Sequence, residues 1–149
     1  MMHFQTISTV QTFFMAMVCY PEVQAKARAE LDAVVGPNRL PTFEDRDSLP
    51  YITAIAKESM RWQSVVPLGI PHRSFEDDEF KGSRIPKGSV VIANLYAFSR
   101  DERAYPNPET FNPERFLKDG KINPDVQDPN MFVFGYGRRY VDSLPPGAS

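Results

Sequence analysis

Glu58 and Arg61 stand three residues apart in a stretch with helical spacing, so their side chains can meet on one face. Taken alone, the pair reads as a surface ion pair worth a few tenths of a kcal/mol. Further along, Phe111-Asn112-Pro113-Glu114-Arg115-Phe116 sets another arginine between two aromatic residues in proline-fixed coil. A carboxylate flanked by two arginines makes bidentate, charge-assisted bonds, which can lock irregular backbone onto a helix where no regular ladder is available.

Three other places carry chemistry. His72-Arg73, after Pro71, offers two cations at the start of a strand pattern, able to hold a carboxylate-bearing cofactor or simply to sit in water. Phe134-Gly135-Tyr136-Gly137-Arg138-Arg139 combines two glycines, which permit positive φ and close approach to a planar ligand, with two anion donors. A generic glycine-rich turn has the same residues. Cys19 is the one cysteine, and at a helix end it reads as a small buried hydrophobe.

These residues need a scaffold. Val10, Phe13, Phe14, Met17 and Val18 recur at helical spacing and predict a helix over 9–18 with a thick apolar stripe. Pro21 ends it and opens a second helix with Val23, Ala27, Leu31, Val34 and Val35 on one face, stopped by Gly36-Pro37. Thr42 and Asp45 suggest a capping box over a short turn. A third helix starts at Ser48-Leu49-Pro50, with Ile52, Ile55, Ala56 and Met60 facing one way and Ala54, Glu58, Arg61 and Val65 the other, until Pro67 breaks the pattern. Beyond Gly69 the period becomes that of strands: turns at 80–82 and 84–88, and a buried strand at Val90-Val91-Ile92. From Asp101 onward, proline-rich coil alternates with short apolar groups.

Composition bounds the function. At 149 residues and 42% hydrophobic content, the chain is long enough for one domain with a core. A net charge of -2 with dispersed Lys and Arg leaves no basic footprint for nucleic acid. The longest apolar run, Phe13 to Tyr20, is too short to span a bilayer.

Lys57-Glu58-Ser59-Met60-Arg61 resembles the E-x-x-R helix of the cytochrome P450 family, Phe111 to Phe116 its P-E-R-F meander, and Phe134 to Arg139 the opening of its F-x-x-G-x-R-x-C-x-G haem loop. The resemblance implies a mainly α fold with a small β-sheet (α+β), incomplete, with residues 1–140 forming its C-terminal portion. It implies a haem-dependent monooxygenase that uses haem b, an NADPH-dependent reductase and a small lipophilic organic substrate, and that sits at the endoplasmic reticulum membrane in full-length relatives. Glu58, Arg61 and Arg115 would form the structural triad. His72, Arg73 and Arg139 would hold the haem propionates, Phe134 would pack near the proximal sulfur, and Gly135 and Gly137 would shape the loop. The strand after Val66-Pro67 and residues 90–94 would help wall the substrate cavity.

The chain departs from that pattern at its ligand. Counting from Phe134, the cysteine position holds Val141 and the following glycine position holds Ser143. A haem thiolate pushes electron density toward iron and favours O–O cleavage, so its loss removes the defining chemistry. Tyr140 lies beside the ligand position, not at it. Residues 141–149 are expected to form a divergent, disordered tail. Phe4-Gln5-Thr6 lacks the acid that precedes the central-helix threonine in the family. The expectation is a fragment or mis-joined gene product, inactive as written, with a non-catalytic scaffold as the alternative. On the fragment reading, the apolar faces of 10–18 and 52–60 would be exposed.

Overall fold

The computed structural model describes residues 2–136, with side chains from Thr6 onward. Two helices come first, α1 (Met2–Cys19) and α2 (Pro21–Val34). Pro21 separates them: it has no N–H to donate, and the Tyr20 backbone leaves the helical region at φ -128°, ψ 70°. The helix period predicted for 9–18 therefore continues back to Met2.

The buried side of α1 differs from the expected stripe. Thr12, Ala16 and Met17 are buried, whereas Val10, Phe14 and Val18 remain 47%, 62% and 81% exposed. Small side chains at positions 12 and 16 let α1 lie close to its neighbours, so the bulkier apolar residues point outward. Cys19, expected to be a buried small hydrophobe, is exposed at the last residue of α1.

A short 3-10 turn (Phe43–Ser48) precedes α3 (Pro50–Trp62). Thr42 N–H donates to Asp45 Oδ2 at 2.8 Å, and Arg39 holds the same carboxylate. Leu49 has no side-chain acceptor to cap α3. Glu30 of α2 fills that role, accepting the N–H groups of Tyr51 and Ile52 at 2.9 and 3.0 Å.

α3 is the hub of the fold, touching α1, α2, that 3-10 turn, a second one at Pro113–Phe116, and the C-terminal hairpin and helix. Its buried residues are Tyr51, Ala54, Ile55, Glu58, Ser59 and Arg61. Ala56, assigned to an apolar face from the sequence, is exposed. Tyr51 and Ile55 join Ala16, Met17, Val23, Ala27 and Phe111 in one core cluster. Ala54 joins Leu95, Tyr105, Phe116 and Phe132 in another. Glu58 and Arg61 extend the same buried side of the helix.

Beyond α3 the described residues form three separate antiparallel ribbons. β1 (His72–Arg73) pairs with β4 (Val90–Val91), β2 (Asp78–Phe80) with β3 (Ser83–Ile85), and β5 (Leu117–Lys118) with β6 (Lys121–Ile122). Lys81-Gly82 and Asp119-Gly120 turn two of them with positive φ at both central residues. β4 is not the buried strand anticipated at 90–92: Val90, Val91 and Ile92 are 63%, 50% and 52% exposed, since among the described residues β1 is its single partner and no layer covers it. α4 (Leu95–Ser99), capped by Asn94 Oδ1 accepting from Ala97 N–H, and α5 (Asn130–Val133) were not foreseen.

Candidate functional site: a buried guanidinium and carboxylate network

Glu58 and Arg61 are both 0% exposed, so the surface-pair reading does not apply. Arg61 Nε donates to Glu58 Oε2 at 2.7 Å and Nη2 to Oε1 at 2.8 Å, a bidentate fork. Oε1 also accepts from Arg115 Nε at 3.2 Å and from the Asn112 N–H at 2.8 Å. The carboxylate thus ties α3 to the Pro113–Phe116 turn through the Arg115 guanidinium and the Asn112 N–H, while Arg61 of the same helix forks onto it.

The remaining guanidinium donors face backbone. Arg61 Nη1 donates to the carbonyls of Ser99 and Pro108, both at 2.9 Å. Arg115 Nη1 donates to Pro106 O at 2.8 Å, and its Nη2 reaches Asn107 and Thr110 carbonyls at 3.3 Å. Coil over 99–110 that has no ladder is held by side chains instead. Tyr105 stacks its ring 5.4 Å from the Arg61 guanidinium carbon, and its hydroxyl donates to Gln127 O at 2.9 Å. Burial pushes the Tyr105 phenol well above its ordinary value, an effect the positive charge of Arg61 partly offsets. On the other flank, Trp62 and Phe111 pack edge to face, with Tyr20 against both.

His72 and Arg73 lie exposed on β1, opposite Val91 and Val90. Gly88, at φ 86°, turns past the Arg73 side chain, and a Cβ there would stand 3.4 Å from its Nη2. Phe134 follows α5 and is 37% exposed, and Gly135 adopts φ 91°, a conformation glycine takes without strain. Gly137, Arg139, Tyr140, Val141 and Ser143 lie outside the described residues. An open cleft of about 460 Å³ between α3 and coil 122–131 is lined by Lys57, Phe116, Asp125, Asp128 and Met131; His72, Arg73 and Phe134 take no part in it.

Residues 4–140 match the sequence profile described as Cytochrome P450. The chain belongs to the cytochrome P450 family. It is 57% identical over 132 residues to the cytochrome P450 monooxygenase COX2 of Coprinopsis cinerea, covering 89% of this chain and 25% of that protein. It is 51% identical to a tryptamine 4-monooxygenase of Psilocybe cyanescens, with 90% and 27% covered. The fold superimposes on a zebra fish cytochrome P450 solved with progesterone at a TM-score of 0.81 and 34% identity, covering 92% of this chain and 30% of that one. The chain therefore spans about a quarter of the length of the curated P450 relatives it matches.

A P450 haem needs cations for its propionates and a thiolate for its iron. His72 and Arg73 are exposed, and their chemistry suits the first need. Cys19 is the sole thiol in the sequence, and it ends α1, whose main neighbours are α2 and α3. Among the described residues no group of three or more His, Cys, Asp or Glu side chains is arranged to hold a metal. The chemistry of His72 and Arg73 suits haem propionates, and the one thiol among the described residues is the exposed Cys19 at the end of α1. Among the described residues, no helix is long and apolar enough to cross a membrane.

Sequence reasoning missed the role of Asn112, whose backbone N–H meets Glu58, and missed Arg100, two of whose three partners are backbone carbonyls. Asn112 also caps the Pro113–Phe116 turn, its Oδ1 accepting from the Glu114 N–H at 3.1 Å, so an Asn-Pro cap was the signal available for it; Arg100 leaves none.

Proposed function

We propose that this chain is the C-terminal portion of a haem-dependent monooxygenase, the class that inserts one oxygen atom from O₂ into an organic substrate, and that as written it does not catalyse that reaction. The relatives named as monooxygenases support the class, and the Glu58, Arg61 and Arg115 network supports an intact scaffold. The observation that carries the loss of activity is Val141, which stands where the haem-loop pattern begun at Phe134 calls for cysteine. Valine offers no lone pair for iron.

On this reading residues 1–140 form the P450 portion and 141–149 a divergent tail. His72, Arg73 and Arg139 would hold the propionates of haem b, and Phe134, Gly135 and Gly137 would shape the loop beneath it. A full-length relative would take electrons from an NADPH-dependent reductase, act on a small lipophilic substrate and reside at the endoplasmic reticulum membrane. A second reading, a non-catalytic scaffold that binds a partner or lipophilic ligand, is favoured by the same combination of a complete Glu58 network and Val141. Incubating the purified chain with haem, NADPH, a P450 reductase and a panel of lipophilic compounds tests the proposal. No oxygenated product is expected, and reductase-dependent product would overturn it.

A further inference from the structure

Two helix ends in this fold exchange guanidiniums. Arg61, from α3, donates to the carbonyl of Ser99, the last residue of α4, at 2.9 Å. Arg100, the residue that caps α4, donates through Nη2 to the carbonyl of Trp62, the last residue of α3, at 2.7 Å. Both then converge on one atom: Pro108 O accepts Arg61 Nη1 at 2.9 Å and Arg100 Nη1 at 3.0 Å. Carbonyls at helix C-termini have no partner within the helix and carry partial negative charge, so a cation from the other helix satisfies each.

We propose that Arg100 is a positioning residue which, with Arg61, forms a crossed clamp that fixes the C-terminal ends of α3 and α4 against each other and seats the 106–110 coil on both. The inference goes beyond the monooxygenase reading and does not depend on it. Three further observations support it. The Arg100 side chain is 12% exposed and its guanidinium carbon lies 5.3 Å from the Tyr96 ring centre, so α4 itself orients the fork. Trp62 answers across the same seam, its indole N–H donating to Glu109 O at 2.7 Å. Arg100 Nε is buried with no hydrogen-bond partner among the described residues, a cost that the fold accepts while both Nη atoms stay in place. Arg100 also pairs with Glu109 Oε2 at 2.8 Å, but that side chain is 76% exposed and belongs to the rim.

Trp62 is the one tryptophan, so its near-ultraviolet dichroism and emission report on the clamp directly. The test compares R100Q, R100K and E109Q in the full 149-residue chain. R100Q and R100K should both lose the Trp62 near-ultraviolet signature while keeping the far-ultraviolet helix signal, and should raise the unfolding equilibrium constant roughly tenfold or more. E109Q should resemble the parent. A role of charge or bulk alone would let R100K restore the parent spectrum; the clamp needs two forked donors, which lysine lacks. Parent-like Trp62 spectra in R100Q, or in R100K should R100Q fail to fold, would overturn the proposal.

Discussion

Arg61 meets Glu58 side on, through bonds of 2.7 and 2.8 Å, with neither side chain exposed. Such a pair gives weak net stabilisation compared with apolar packing, but removing one member strands the other charge in the interior. Glu58 is the more critical partner because two guanidiniums and the Asn112 N–H depend on it.

E58A should therefore cost about 3–5 kcal/mol, a large share of the stability of a small domain. Urea denaturation followed by far-ultraviolet dichroism checks this, and a cost near the surface-pair scale would contradict the buried network. R115A should cost less than R61A, because Arg115 makes one carboxylate bond where Arg61 makes two.

Glu30 supplies the N-terminal acceptors that α3 lacks at Leu49. E30A should cost about 1 kcal/mol, the usual range for a lost cap. E30Q should recover part of it, since one amide oxygen can still accept. A thermal-melt series on the three proteins decides.

Tyr105 gives a pH prediction. Burial raises its folded-state pKa above the unfolded value of about 10. Below that pH both states hold the proton and the full stability is present. Above it the unfolded chain releases a proton that the folded chain retains, so stability falls as pH rises through the alkaline range. Y105F should remove that phenol's share of the alkaline loss, at a cost of about 1 kcal/mol for the bond to Gln127 O. Phenolate absorbance against pH, read beside denaturation midpoints, measures both.

The outward side of α1 should behave as an apolar patch. Val10, Phe14 and Val18 are largely exposed, as are Leu68, Ile70 and the β4 valines. The chain is expected to bind a hydrophobic dye and self-associate. Replacing Val10, Phe14 and Val18 by Gln should lower both signals without loss of helix; unchanged dye binding would place the patch elsewhere.

How much of this was legible in the sequence depended on whether the deciding partner was local. Pro21 and Pro50 mark helix starts by removing a donor that those positions do not need, so α2 and α3 were readable. The three-residue spacing of Glu58 and Arg61 was readable too, though not its burial, which comes from coil folded over it. Apolar periodicity found the stripe of α1 but not which part of it is buried: Met17 joins small Thr12 and Ala16 in the close approach, while Val10, Phe14 and Val18 stay exposed, as expected for the 10–18 face on the fragment reading. α4 was hidden within an apolar run beginning at Val90, where Asn94 gave the one capping signal. Arg100 left no trace, since two of its three bonds from Nη1 and Nη2 end on backbone carbonyls that its own sequence context does not specify.

The central claim is that a P450 scaffold persists here without its axial thiolate. Haem titration of the purified chain, followed by the absorption spectrum of the reduced, carbon monoxide-bound form, tests it most directly. The account predicts no strongly red-shifted thiolate Soret band, with either no binding or a spectrum of another ligand type. A thiolate band would require Cys19 to reach the iron and would contradict it.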